Sequence, residues 1–284
     1  MPDITIVEMG PRDGLQNQAR LIETKDKIKL VNLLSDAGFS RIETSSFVSP
    51  KWVPHLADAS AVFSGIARRR GTRYTALTPN IRGFEAARLA AVDEIAVFGA
   101  ASESFSQKNI NCSIAESLTR FTPVLDAAHA DGIPVRGYVS CVTDCPFEGR
   151  IDPAAVAQVT KKLLDMGCFE VSLGDTIGHG TPQTVTAMLK AVLQVARPTQ
   201  LAAHFHDTKS RALANVETAL GHGITVFDAS VAGLGGCPYA PGASGNVATE
   251  ALVDLMISKK LSTGIDPNAL TKAVEFACKL KEPP

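Results

Sequence analysis

A chain of 284 residues with 45% hydrophobic and 20% charged side chains has a globular balance, long enough to bury a large core and too apolar for general disorder. The formal net charge of −1 gives no overall attraction to nucleic acid or to a membrane surface. An anionic ligand would therefore need a local basic patch, with Lys51, Lys108 and Arg150 as candidates. The six cysteines (Cys112, Cys141, Cys145, Cys168, Cys237 and Cys278) are too scattered for a secreted disulfide scaffold. Cys141 and Cys145 have no second Cys/His pair at zinc-site spacing and read as structural. No charged-then-apolar leader, transit-type segment or membrane-length apolar run is found, so a reducing, cytoplasmic setting is expected.

Strand and helix patterns alternate along the chain. Ile4–Glu8 reads as a strand and Lys25–Ala37 as a helix, with Thr24 as its N-cap and Gly38 beyond its end. Strand Arg41–Ser45 precedes helix Val53–Arg68, Tyr74–Leu77 precedes Ile81–Ala90, and Glu94–Phe98 precedes Ala115–Ala130. Val135–Ser140 leads to helix Pro153–Met166, and Glu170–Leu173 to Pro182–Val195; Asp152 and Thr181 are N-caps before prolines fit for a first turn. Leu201–Phe205 leads to Arg211–His222, and Val226–Ser230 to a long glycine-rich stretch and a helix near Val247–Ser258. Pro267–Leu280 adds a terminal helix. Eight β–α units point to an α/β fold, a closed (β/α)8 TIM barrel with a C-terminal extra helix, forming one catalytic domain over 1–284. An open doubly wound sheet is disfavoured because no glycine-rich dinucleotide fingerprint follows the first strand.

Chemistry in such barrels gathers where strands end. The polar residues expected there are Arg12, Asp13 and Gln16 after the first strand, Glu43 on the second, Asp175 after the sixth, and His204 and His206 ending the seventh. His204 and His206 are two apart on a strand and share a face. With oxygen donors from Asp13 and Asn246 they make a mixed set suited to an octahedral divalent ion, Mg²⁺ or Mn²⁺. Arg12 can donate fixed hydrogen bonds to an oxygen that gains charge, or form a salt bridge to Glu43 or Asp175. Glu43, inside a strand, needs a cation or donor beside it. Asp175 is expected to make the more direct substrate contact of the two carboxylates. Cys237 sits among Gly233, Gly235, Gly236, Gly242 and Gly245, where a loop could carry its thiol over a ligand.

Several long motifs resemble the 3-hydroxy-3-methylglutaryl-CoA lyase family: Glu8-Met-Gly-Pro-Arg-Asp-Gly-Leu-Gln-Asn17, Ile42-Glu-Thr-Ser-Ser-Phe-Val-Ser-Pro-Lys-Trp-Val-Pro54, Lys108-Asn-Ile-Asn-Cys-Ser113, Arg136-Gly-Tyr-Val-Ser-Cys141 and Ser172-Leu-Gly-Asp-Thr-Ile-Gly178. The resemblance implies Asp13, His204, His206 and Asn246 as metal ligands, Arg12 as the group stabilising an enolate oxygen and Cys237 as a mobile-loop catalytic cysteine. It implies active-site roles for Glu43 and Asp175, a part in catalysis for His204, a small-molecule acyl-CoA substrate and a homodimer. The implied reaction splits 3-hydroxy-3-methylglutaryl-CoA into acetoacetate and acetyl-CoA, as in leucine degradation or ketone-body formation, with Asp175 or His204 as the base. A larger 3-substituent on the glutaryl-CoA, such as isohexenyl, and a Claisen-type synthase of the isopropylmalate kind are the competing readings. One departure stands out: after Asp207-Thr208 this chain reads Lys209-Ser210-Arg211, where the family often continues with Tyr-Gly.

Overall fold

The computed structural model describes residues 3–16, 18–236 and 245–281. Eight parallel strands close into a barrel: β1 (Thr5–Glu8), β2 (Arg41–Ser46), β3 (Arg73–Leu77), β4 (Glu94–Ala100), β5 (Val135–Ser140), β6 (Glu170–Asp175), β7 (Leu201–Phe205) and β8 (Val226–Ala229). Each pairs with its sequence neighbours, and β1 closes the ring by pairing with β8, Thr5 to Glu8 opposite Val226 to Ala229. Outside lie α1 (Thr24–Asp36), α2 (Ala59–Gly65), α3 (Ile81–Leu89), α4 (Glu103–Ile110), α5 (Ile114–Ala130), α6 (Pro153–Asp165), α7 (Pro182–Val192), α8 (Ala212–Gly221), α9 (Thr249–Ser258) and α10 (Pro267–Lys281). The expected barrel and terminal helix are both present, with α10 packed on α1. Among the described residues no helix is long and apolar enough to cross a membrane.

Asp152 and Thr181 cap α6 and α7 as expected, accepting from the backbone N–H of Ala154 and Thr184. Thr24 does not cap α1. It is the first helical residue, and its hydroxyl donates to Asp58, which also receives Lys27 at 2.6 Å. That same Asp58 stands where the expected Val53–Arg68 helix breaks into a 3₁₀ turn, Pro54–Leu56, and the short α2. Two features went unforeseen. Helix α4 is capped by Ser102 and by Glu148, which accepts from the Ser104 N–H at 2.6 Å; a small antiparallel pair, Asp144–Cys145 with Gly149–Arg150, brings Glu148 there. The α4 sequence is rich in Ser, Gln and Asn and has little apolar periodicity, so its helicity rests on those caps.

Alternation along the strands separates two interiors. Outward residues such as Val97, Val171 and Leu173 join Leu30, Leu34, Leu163 and Leu189 in the apolar layer beneath the helices. Inward residues include Arg41, Glu94, Arg136, Glu170 and Asp228, all buried. At the mouth Glu8 ties three elements together: Oε1 accepts from the Gly10 and Val231 N–H groups at 2.7 and 2.9 Å, and Oε2 from the Thr249 hydroxyl at 2.7 Å. Gly10 is needed there, since a Cβ would fall 2.7 Å from Glu8 Oε1.

Burial pushes the Glu8 carboxyl up to about 7, against the lowering effect of those donors. Between its ordinary value near 4.5 and about 7 the folded chain holds a proton that the unfolded chain has released. This group's contribution to stability is therefore full below 4.5 and is lost as pH rises through 7. Glu8→Gln is expected to remove that slope: urea midpoints of the variant, relative to the parent, should improve steadily from pH 4.5 to 7.5. A constant difference would show that Glu8 does not titrate in this window.

Candidate active site

The loop after β1 is a single turn of π-type helix, Gly10–Gly14, in which the N–H groups of Arg12, Asp13 and Gly14 all converge on the Met9 carbonyl at 2.8–3.2 Å. It delivers Arg12 and Asp13 side by side into the barrel mouth. Arg12 donates through Nε to Glu43 Oε2 at 2.5 Å and through Nη1 to Asp13 Oδ1 at 2.7 Å. Glu43 is fully buried on β2, next to a register irregularity against β3, and Tyr138 on β5 donates to its other oxygen at 3.1 Å. Of the two partners expected for Arg12, the structure selects Glu43 and leaves Asp175 aside. Burial raises the Glu43 carboxyl, and Arg12 pulls it back down.

Asp13 faces the two histidines. One ligand atom from each of Asp13, His204 and His206 lies within 4.8 Å of the others, and the two rings sit 5.2 Å apart. Asn246 joins them by donating from Nδ2 to Asp13 Oδ2 at 2.7 Å and to the Leu234 carbonyl at 3.1 Å. Its segment is held to the end of β7: Asp207 N–H donates to Gly245, Val247 N–H to Phe205, and His206 bridges Asn246. His206 thus lies one residue past the strand, oriented by this bridge.

Burial alone would raise Asp13, but Arg12, His204, His206 and Asn246 together hold it at about 2. Burial and the neighbouring His204 push His206 down to about 4, so its ring is neutral near pH 7. His206 Nδ1 is buried and has no hydrogen-bond partner among the described residues. An ionised carboxylate, a neutral imidazole with an orphaned nitrogen and a second imidazole form a donor set that fits a divalent cation.

The cluster opens into a cavity of about 950 Å³. Arg12, Asp13, Gln16, His204 and His206 line its inner end with Tyr138 and Ser172, and Lys108 and Arg120 line it on α4 and α5. Of the three basic residues singled out by sequence, Lys108 faces the cavity, 4.9 Å from the Phe147 ring, while Lys51 and Arg150 do not line it. Lys209 and Arg211 are exposed and are not part of the lining.

Asp175 lies apart from the cluster. It ends β6 on the side facing the helices, fully buried, accepting from the Thr143 hydroxyl at 2.7 Å and the Gly180 N–H at 2.8 Å. The inward-facing neighbours Ser172 and Gly174 line the cavity; Asp175 does not, because strand alternation turns it outward. It braces the loop after β6. Cys237 lies outside the described residues; Gly236, just before it, lines the cavity.

Sequence reasoning missed Tyr138, Arg136 and Asp228. The signal was there: the cost argument that flagged Glu43 within a strand applies equally to Arg136 in Val135–Ser140 and to Asp228 in Val226–Ala229.

The family model described as HMGL-like matches residues 3–276. The chain belongs to that family. A bovine (Bos taurus) relative described as a mitochondrial hydroxymethylglutaryl-CoA lyase is 58% identical over 97% of this chain and 85% of its own. A Pseudomonas aeruginosa relative described as a 3-hydroxy-3-isohexenylglutaryl-CoA/hydroxy-methylglutaryl-CoA lyase is 55% identical over 97% of this chain and 92% of its own. The crystal structure of an HMG-CoA lyase from Brucella melitensis superposes with a TM-score of 0.97 at 56% identity, covering 99% of both chains. A further HMG-CoA lyase structure, from Acinetobacter baumannii in complex with coenzyme A and 3-methylmalate, gives 0.93 at 38% identity, covering 98% of this chain and 91% of its own.

Gly235 keeps the Asn246 amide in place. Its φ of +116° disfavours a side chain, and a Cβ would fall 2.7 Å from Asn246 Nδ2. Gly235→Ala is expected to cost about 1 kcal/mol or more in stability and to weaken Mn²⁺ binding by displacing Asn246 from Asp13. Urea denaturation and calorimetric titration with Mn²⁺ check both; unchanged Mn²⁺ affinity would show that the Asn246 position is not needed.

Proposed function

We propose that this chain is a hydroxymethylglutaryl-CoA lyase, a carbon–carbon lyase that cleaves 3-hydroxy-3-methylglutaryl-CoA to acetoacetate and acetyl-CoA. The observation that carries the reading is nearly full-length similarity to relatives of that name, with Arg12, Asp13, His204 and His206 gathered on one cavity. Asp13, His204, His206 and Asn246 are the residues that would hold a divalent ion, Mg²⁺ or Mn²⁺. When bound, the ion would supply positive charge to the substrate's hydroxyl and carboxylate oxygens.

The reaction breaks C2–C3: the 3-hydroxyl loses its proton and becomes the acetoacetate carbonyl, while the bonding electrons pass into the thioester carbonyl as an enolate. Arg12, already fixed by Glu43 and Asp13, presents its guanidinium to the cavity without reorganising, which is what stabilising a developing enolate oxygen requires. Glu43 acts through Arg12, and Tyr138 through Glu43. The hydroxyl proton needs an acceptor facing the cavity. The Asp13 carboxylate faces it and Asp175 does not, so proton abstraction is taken from Asp175 in this reading. Protonation at C2 completes acetyl-CoA, and Cys237, directly after cavity-lining Gly236, is the donor carried over from the family resemblance.

A larger 3-substituent is the second reading. The Pseudomonas relative carries both activities in its description, and Val48, Leu77, Phe98, Phe121 and Val139 give this cavity apolar lining. A homodimer in a cytoplasmic, reducing setting, with the whole chain as one catalytic domain, completes the proposal.

Purified enzyme with 3-hydroxy-3-methylglutaryl-CoA and Mg²⁺ is expected to release acetoacetate and acetyl-CoA, with loss of both products in EDTA. A kcat/KM far higher for the isohexenyl thioester would transfer the assignment to the second reading. Cys237→Ala is expected to lower turnover by at least about 100-fold, the scale of a lost general acid, with Mn²⁺ affinity unchanged; joint loss of metal and fold would make the thiol structural.

A further inference from the structure

The geometry points to Asp228 as a positioning residue that fixes the proton of His204 on Nδ1 and so keeps the Nε2 lone pair available to a metal ion. This inference rests on the divalent-ion reading of the Asp13, His204 and His206 cluster. Asp228 lies on β8 directly opposite His204 on β7 in the strand register, and its side chain is fully buried. Its Oδ1 accepts from Arg136 Nη2 at 2.7 Å; its Oδ2 accepts from Arg136 Nη1 at 3.1 Å, from the Ser172 hydroxyl at 2.7 Å, and lies 3.3 Å from His204 Nδ1.

A carboxylate clasped on both oxygens by a guanidinium can only accept, so Nδ1 must be the donor in the fourth contact. A neutral imidazole with its proton on Nδ1 has its lone pair on Nε2. The carboxylate nearby favours a donor at Nδ1. Arg41, Arg73 and Arg136 face three carboxylates, Glu94, Glu170 and Asp228, and Asp228 is the member beside His204. Arg136 is also held by Glu170 at 2.7 Å, so it keeps one anionic partner when Asp228 is neutralised.

In Asp228→Asn the amide oxygen is drawn to Arg136, which only donates, and the amide N–H groups turn to His204 Nδ1. The ring is then forced to carry its proton on Nε2, where a metal would bind. The test uses protein labelled with ¹⁵N in its histidine rings, metal-free at pH 8, with His204→Gln to assign the His204 signals. The parent is expected to show the Nδ1–H tautomer and Asp228→Asn the Nε2–H tautomer. Mn²⁺ affinity, read by electron paramagnetic resonance, is expected to fall about 10–100-fold in Asp228→Asn, the usual scale for removing such a supporting group. An Nε2–H tautomer in the parent overturns the inference, as does an Asp228→Asn variant that keeps parental Mn²⁺ affinity. If Asp228→Asn does not fold, the parent tautomer alone decides. Failure of the parent to bind Mn²⁺ would instead overturn the metal reading, while the metal-free spectra would still show whether Asp228 sets the ring.

Discussion

The rest of this structure depends on a continuous chain of charged hydrogen bonds threaded through the inside of the barrel. From the floor upward, Arg41 joins Glu94 and Glu170, Glu170 joins Arg136, and Arg136 reaches both Asp228 and the Tyr138 hydroxyl. Tyr138 donates to Glu43, Glu43 accepts from Arg12, and Arg12 donates to Asp13. Any one of these groups alone in a low-dielectric interior would be costly, and a half-satisfied network is worse than an apolar one. Each member is held by at least one neighbour, with Arg41 Nε and Glu94 Oε2 at the floor left without a hydrogen bond among the described residues, so the chain sets side-chain geometry at the mouth from residues deep in the barrel. Arg12 and His204 are its two upper ends, one reached through Glu43 and the other through Asp228.

The mouth is fixed by a second device, made of backbone. The turn at Gly10–Gly14 collects three N–H groups on one carbonyl, Glu8 fastens β1 to the segment after β8 and to α9, and residues 245–247 are zipped to the end of β7. Asp13 and Asn246, more than 230 residues apart, are thereby brought to 2.7 Å. Positioning groups on rigid strand ends and joining them by main-chain bonds gives the precision that an electrostatic site requires.

How much of this was legible in the sequence follows from which physical rule each residue obeys. The barrel was legible because eight β–α periods repeat, and Asp152 and Thr181 were legible because N-capping is local. His204 and His206 were legible because a spacing of two on a strand puts both on one face. The same rule separates Asp175 from them: Ser172 and Gly174 on β6 point inward and Asp175 outward. Tyr138, Arg136 and Asp228 were not read because their value lies in partners from other strands, 56 to 95 residues away for the contacts to Ser172, Asp228 and Glu43. Pairing at that range is set by barrel closure, which no local pattern encodes. Helix α4 escaped for a related reason, its second cap coming from Glu148 across the small hairpin.

The charge distribution also explains why this cluster calls for a cation before it can receive an anionic substrate. Arg12 is occupied by Glu43 and Asp13, so its positive charge is already balanced at the mouth. Asp13 is held ionised at about 2 and His206 is held uncharged at about 4, which leaves no surplus positive charge among these side chains near pH 7. Below them, the Asp228 carboxylate lies against His204. A carboxylate end of a substrate entering this pocket would meet Asp13 in a partly desolvated space, where repulsion is poorly screened. A divalent ion on Asp13, His204 and His206 would reverse the sign of that field.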